Sequence, residues 1–152
     1  MNINSLTFDE KNLIPVLVQH ASSGKILMFA FANIQALEKT QETGFAHFWS
    51  RSRKKLWKKG EESGNVLRVV GIKTDCDSDA VLYLVQPTGN TCHTGKESCF
   101  FRGDDYETDA EFCMELESTI AQREKHGEKT SYIHSLFEEG LDRIVQKVGR
   151  KR

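Results

Sequence analysis

A chain of 152 residues, 38% hydrophobic and 28% charged, is long enough for one domain with its own core and a short appendage, and a formal net charge of -1 excludes a globally basic nucleic-acid binder. Its longest apolar run, Ile26 to Ala32, falls far short of the ~20 residues that cross a membrane, and the opening Met1-Asn2-Ile3-Asn4-Ser5 has neither the basic nor the apolar region of a signal peptide. The expectation is a cytoplasmic protein with no membrane or nucleic-acid partner, whose four cysteines serve as thiols or metal ligands rather than disulfides.

In chain order, Pro15 to Gln19 and Lys25 to Ala30 are apolar runs joined by His20-Ala21-Ser22-Ser23-Gly24, which predicts a hairpin. Asn33 is placed to cap a helix over Ile34 to Gln41, with Gly44 to end it. Phe45 to Ser50 reads as a strand, Arg51 to Gly60 as a basic turn-rich segment and Glu61 to Asn65 as a loop. Strands follow over Val66 to Ile72 and Ala80 to Gln86, the second stopped by Pro87. From about Tyr106 the spacing turns helical, over Ala110 to Glu124 and again over Tyr132 to Val148, with His126-Gly127-Glu128-Lys129 as a polar turn between. Cys113 lies in the first of these helices, where a buried thiol is the expectation. The implied fold class is α+β: a compact, mainly antiparallel β domain over residues 1–105 with one or two helices, and C-terminal helices over residues 106–152.

Two clusters carry chemistry. Cys92, His93 and Cys99 lie within eight residues beside Thr94, Gly95 and Ser98, and Cys76 lies among Asp75, Asp77 and Asp79. In an extended segment the three carboxylates would share one face, suited to a hard cation such as magnesium, while Cys76 pointed the other way and could join the other thiols around zinc. Closely spaced aspartates are equally often a solvated turn. His93 suits a fourth zinc ligand, a proton carrier or a loop residue. The basic run Ser50 to Gly60, with Trp49 and Trp57, fits a small phosphorylated ligand, single-stranded nucleic acid, or a solvated face. The acidic Glu61 and Glu62 that follow favour the small ligand.

These residues also form a recognisable set. His47-Phe48-Trp49-Ser50-Arg51-Ser52-Arg53, Leu56 through Asn65, Asp75-Cys76-Asp77-Ser78-Asp79 and Cys92-His93-Thr94-Gly95 through Phe100 closely resemble phosphoribosyl-AMP cyclohydrolase of histidine biosynthesis, over about Leu13 to Arg102. The resemblance implies an intertwined homodimer in which Cys76 of one subunit completes a zinc site with Cys92 and Cys99 of the other, and magnesium at Asp75, Asp77 and Asp79. It implies hydrolytic opening of the purine ring of phosphoribosyl-AMP between N1 and C6. The zinc would activate water, and His93 is the candidate acid/base. Trp49, Ser50, Arg51, Ser52, Arg53, Trp57, Lys58, Lys59, Ser63 and Asn65 are then the expected contacts to the phosphorylated nucleotide. Zinc nucleobase deaminases are a nearer chemical rival, but their paired Pro-Cys-x-x-Cys is missing.

The C-terminal part, Glu115 to Arg123, Thr130 to Tyr132 and Gly140 to Gly149, resembles the opening of phosphoribosyl-ATP pyrophosphohydrolase. That family continues into clustered glutamates where this chain reads Gly149-Arg150-Lys151-Arg152, so no pyrophosphohydrolase activity is expected of the chain as given.

Overall fold

The computed structural model describes residues 1–103, 109–126 and 131–149. They belong to two compact units, Met1–Asp104 and Asp105–Arg152, and each is described separately.

The first unit is built on a four-stranded sheet of order β2-β1-β6-β5. Strands β1 (Ile14–His20) and β2 (Ile26–Ala32) form the expected antiparallel hairpin. Its turn is closed by His20, whose Nδ1 accepts hydrogen bonds from the amides of Ser22 and Ser23. Helix α1 (Ile34–Thr43) follows, with Asn33 Oδ1 accepting from the Ala36 amide at 2.9 Å and Gly44 ending it at φ 73°. Both ends are therefore set by the residues that the local chemistry singles out.

Strand β3 (His47–Ser50) pairs antiparallel with β4 (Lys55–Lys58) as a separate two-stranded sheet. This corrects the expectation of a turn-rich segment over Arg51 to Gly60. The lysines mask a strand whose Leu56 and Trp57 are placed opposite Trp49 and Phe48, so tertiary pairing outweighs local composition.

Strands β5 (Leu67–Thr74) and β6 (Val81–Pro87) pair antiparallel, and β6 runs parallel to β1. The sheet is thus mainly antiparallel with one parallel pair. On its inner face Ile14, Val16, Val18, Tyr83 and Val85 pack with Leu37 and Phe48 and are essentially inaccessible. The polar atoms in this core are matched: Tyr83 Oη donates to Thr40 Oγ1 at 3.2 Å, Thr40 Oγ1 donates to Ala36 O, and it accepts from the His47 amide at 3.0 Å.

The register places Leu17 opposite Phe29, Pro15 opposite Phe31 and Leu17 beside Leu82 on the other face. That face is apolar yet open: Leu17 is 37% and Phe29 48% exposed.

The second unit contains α2 (Asp109–His126), α3 (Tyr132–Glu139) and α4 (Leu141–Gly149). The segment read as one helix from Tyr132 to Val148 is broken at Gly140, whose φ of 88° leaves the helical region. Cys113 is exposed rather than buried. Phe112 and Leu116 beside it are exposed as well. Residues 127–129, expected as a turn, lie outside the described residues.

Candidate active site

Loops and strands of the first unit line a cavity of about 520 Å³, the size of a small-molecule site. One wall comes from β4, the turn before it and the loop after it, with Arg53, Trp57, Lys58, Lys59, Glu61, Glu62, Ser63 and Asn65. The other comes from the loop after β6, with Asn90, Thr91, Cys92, His93, Gly95 and Cys99, and Met28 of β2 also lines the cavity. Trp57 reaches it because strand side chains alternate. Trp57 and Phe48 are opposite each other on one face, with ring centroids 5.0 Å apart, and Trp49 with Leu56 takes the other face.

The cysteine loop is tightly folded. Cys92 N donates to Lys96 O at 2.9 Å, Gly95 N to Cys92 O at 3.1 Å, and Thr91 N to Glu97 O at 3.1 Å. Downstream, Cys99 N donates to Leu27 O at 2.8 Å and Ser98 Oγ to Ile26 O at 2.7 Å, which fastens the loop's end to β2.

Folding places Cys92 and Cys99 on the same cavity wall, where each influences the other's ionisation. The Thr94 hydroxyl donates to Cys92 Sγ at 3.1 Å and, with the Thr94 amide, Cys99 and the Lys59 cation, holds the Cys92 thiol below its ordinary pKa. The Cys99 thiol is pushed up by its partial withdrawal from solvent, and Cys92 holds the remaining proton on it. Two thiols on one cavity wall are a donor set that fits a soft divalent cation such as zinc. The Thr91 hydroxyl, 1% exposed in the preceding residue, has no hydrogen-bond partner among the described residues. His93 Nδ1 lies 3.9 Å from Cys92 Sγ, and the residue is exposed on the cavity wall.

Cys76 is not part of this set. It is exposed, and among the described residues the three cysteines do not form a ligand cluster within one chain. Its neighbours Asp75, Asp77 and Asp79 do converge, with carboxylate oxygens within 4.8 Å of one another. The extended geometry expected for them is not what brings them together. The segment is a turn with Ser78 at φ 63°, curled because Asp75 Oδ1 accepts from the amides of Asp79 and Ala80, each at 3.1 Å. The Ala80 amide is the main reason that Asp75 ionises more readily than usual, whereas its hydrogen bond to Asp75 and the charge of Asp77 raise Asp79. Such a crowded set of carboxylates fits a hard divalent cation.

Of the remaining expected substrate contacts, Trp49, Ser50, Arg51 and Ser52 are not on the cavity lining. The Arg51 guanidinium stacks 4.1 Å above the Phe31 ring, and Ser50 Oγ accepts from the Arg53 amide at 3.2 Å. Sequence reasoning missed Asn90 and Met28. Asn90 immediately precedes the Thr91-Cys92-His93 motif, and Met28 looks like plain core.

Residues 28–101 match the family model of phosphoribosyl-AMP cyclohydrolase. The phosphoribosyl-AMP cyclohydrolase of Archaeoglobus fulgidus is 64% identical over 97 residues, covering 64% of this chain and 90% of that protein. The histidine biosynthesis bifunctional protein HisIE of Halalkalibacterium halodurans is 45% identical over 157 residues (99% of this chain, 74% of the relative), and that of Bacillus subtilis 46% over 151 (97% and 72%).

Proposed function

Because the chain belongs to the phosphoribosyl-AMP cyclohydrolase family of histidine biosynthesis, we propose that its cavity opens the purine ring of phosphoribosyl-AMP by adding water at C6 and breaking the C6–N1 bond. The observation that carries this reading is the juxtaposition in one cavity of two thiols, Cys92 and Cys99, with the cations Arg53, Lys58 and Lys59. The cations match the two phosphates of the substrate.

Cys92 and Cys99 of one subunit with Cys76 of its partner would hold zinc, and Asp75, Asp77 and Asp79 would hold magnesium. Zinc supplies, when bound, a Lewis acid that makes water a nucleophile at neutral pH. The chain's own groups do the rest. Arg53, Lys58 and Lys59 bind phosphate oxygens, Trp57 flanks the base, and His93 delivers the proton that N1 needs as its bond to C6 breaks. Ser63 and Asn65 lie on the same wall.

The homodimer is supported by the open apolar face carrying Leu17, Phe29 and Leu82, because a sheet face of this kind is stable in water only when covered. The test mixes two inactive proteins, Cys76→Ser and Cys92→Ser. Exchanged heterodimers contain one intact site of two, so phosphoribosyl-AMP turnover should recover to about a quarter of wild type at random exchange, with zinc content recovering in parallel. Turnover that stays at zero in a mixture shown to exchange subunits would overturn the shared site. A wild-type protein that binds zinc yet leaves phosphoribosyl-AMP intact would overturn the activity.

A further inference from the structure

Asn65 and Asn90 join the two walls of the cavity. Asn65 Nδ2 donates to Asn90 O at 3.1 Å, and Asn90 Nδ2 in turn donates to Gly95 O at 2.7 Å, closing the turn that holds Cys92. The two bonds run in sequence from the cation loop to the thiol loop.

The surroundings allow little play. Gly89 has no room for a Cβ, which would lie 2.5 Å from Asn65 Oδ1, and at Gly60 a Cβ would overlap the Asn65 carbonyl and lie 2.6 Å from Val66 N. Thr88 adds a second seam, its amide donating to Val66 O at 3.0 Å and its hydroxyl accepting from the Val66 amide at 3.0 Å. The obstruction at Gly60 is backbone, so glycine is required there, while at Gly89 a Cβ would press on the Asn65 amide that makes the relay.

We propose that Asn65 and Asn90 are positioning residues for ring opening: they fix the thiol loop against the cation loop, so that a nucleotide held by its phosphates presents C6 to the centre at Cys92 and Cys99. Asn65 then acts through the loop rather than as a substrate contact. The inference rests on the cyclohydrolase reading, and its test has one readout that does not. A misplacement of about 1 Å between substrate and reacting centre costs on the order of 100-fold in rate.

The experiment compares Asn65→Ala, Asn90→Ala and the double variant. Positioning predicts that kcat falls at least about tenfold in each while KM stays within about threefold, and that the double variant is no slower than the worse single, since the bonds act in series. A KM increase at unchanged kcat for Asn65→Ala would make Asn65 a direct contact and end the proposal. The second readout is alkylation of the metal-free protein by iodoacetamide, with each modified cysteine identified by mass spectrometry. Cys92 is only 7% exposed, so Asn90→Ala should speed its modification several-fold relative to Cys76. An unchanged ratio overturns the relay even if the wild type turns over phosphoribosyl-AMP. Accelerated modification in a protein with no turnover leaves the relay standing and removes the activity. Should Asn65→Ala fail to fold, Asn90→Ala carries both readouts.

Discussion

Gly60→Ala tests whether the cation loop tolerates any displacement. At Gly60 and Gly64 the backbone is left-handed, with φ of 84° and 77°, so alanine carries a similar conformational penalty of about 1–2 kcal/mol at each. The two sites differ in space. A Cβ at Gly64 meets nothing within 4 Å, whereas at Gly60 it overlaps the Asn65 carbonyl and crowds Val66 N, all of it backbone. Forcing an atom into such a site adds roughly 1–3 kcal/mol. Gly64→Ala should therefore lose about 1–2 kcal/mol and Gly60→Ala about 2–5 kcal/mol in urea unfolding at equal m-value. Gly60→Ala should also lower kcat/KM, because relief of the overlap requires Asn65 to move, and Asn65 donates to Asn90 on the opposite wall. Equal stability losses at the two glycines, or a destabilised Gly60→Ala with unaltered kinetics, would refute the reasoning.

Other consequences can be measured separately. Thr94→Val removes the hydroxyl that donates to Cys92 Sγ, so the pH profile of Cys92 alkylation in metal-free protein should move upward toward that of an ordinary thiol; an unmoved profile would assign the low pKa to the other neighbours. Asp77→Asn removes a negative charge beside Asp79 and should lower the Asp79 titration midpoint in carboxyl NMR, where a constant midpoint would show that the carboxylates do not converge in solution. Tyr83→Phe deletes a buried hydrogen bond and should cost about 1 kcal/mol. Burial pushes the Tyr83 phenol up to about 12, so between the unfolded value of 10 and that value the folded state binds more protons than the unfolded one and stability falls as pH rises. The Phe variant should flatten that alkaline loss, and an unchanged slope between pH 10 and 12 would count against it.

How far the fold was legible depended on whether local chemistry or distant pairing decided each element. Asn33 and Gly44 delimit α1 through their own side chain and backbone, and His20 to Gly24 close the hairpin without outside help, so these elements are readable from a few adjacent residues. Strand β4 is not. Lys55, Lys58 and their neighbours make a solvated, turn-like composition, and the segment is held extended by Phe48 and Trp49 of β3. The parallel pairing of β1 with β6 is equally invisible, because alternation along a strand says which residues share a face but not which strand lies beside them. Gly140 was passed over for the opposite reason: apolar residues continue in helical spacing on both sides of it, although a glycine inside such a pattern often marks a break.

In the site, residue types were legible and their arrangement was not. Two thiols at Cys92 and Cys99 are legible as candidate ligands, but only the fold brings Thr94 and Lys59 to Cys92, lowering it, while withdrawal from solvent raises Cys99. Four of the residues expected to touch substrate, Trp49, Ser50, Arg51 and Ser52, do not line this cavity: Trp49 takes the face of the β3–β4 hairpin opposite Trp57, and Arg51 stacks on Phe31. Asn90 went unnoticed because its contribution is a backbone carbonyl and one amide bond to Gly95, neither of which has a sequence signature. The carboxylates show the same limit from the other side. Asp75, Asp77 and Asp79 do meet, yet through a turn in which Ser78 takes a positive φ, not through the extended alternation that their spacing invites. A turn of this kind leaves Cys76 on the surface, away from the thiols of its own chain. The proposed centre, if it uses all three thiols, needs Cys76 from a second copy, which is why the subunit-mixing experiment, rather than any single-site substitution, decides the proposal.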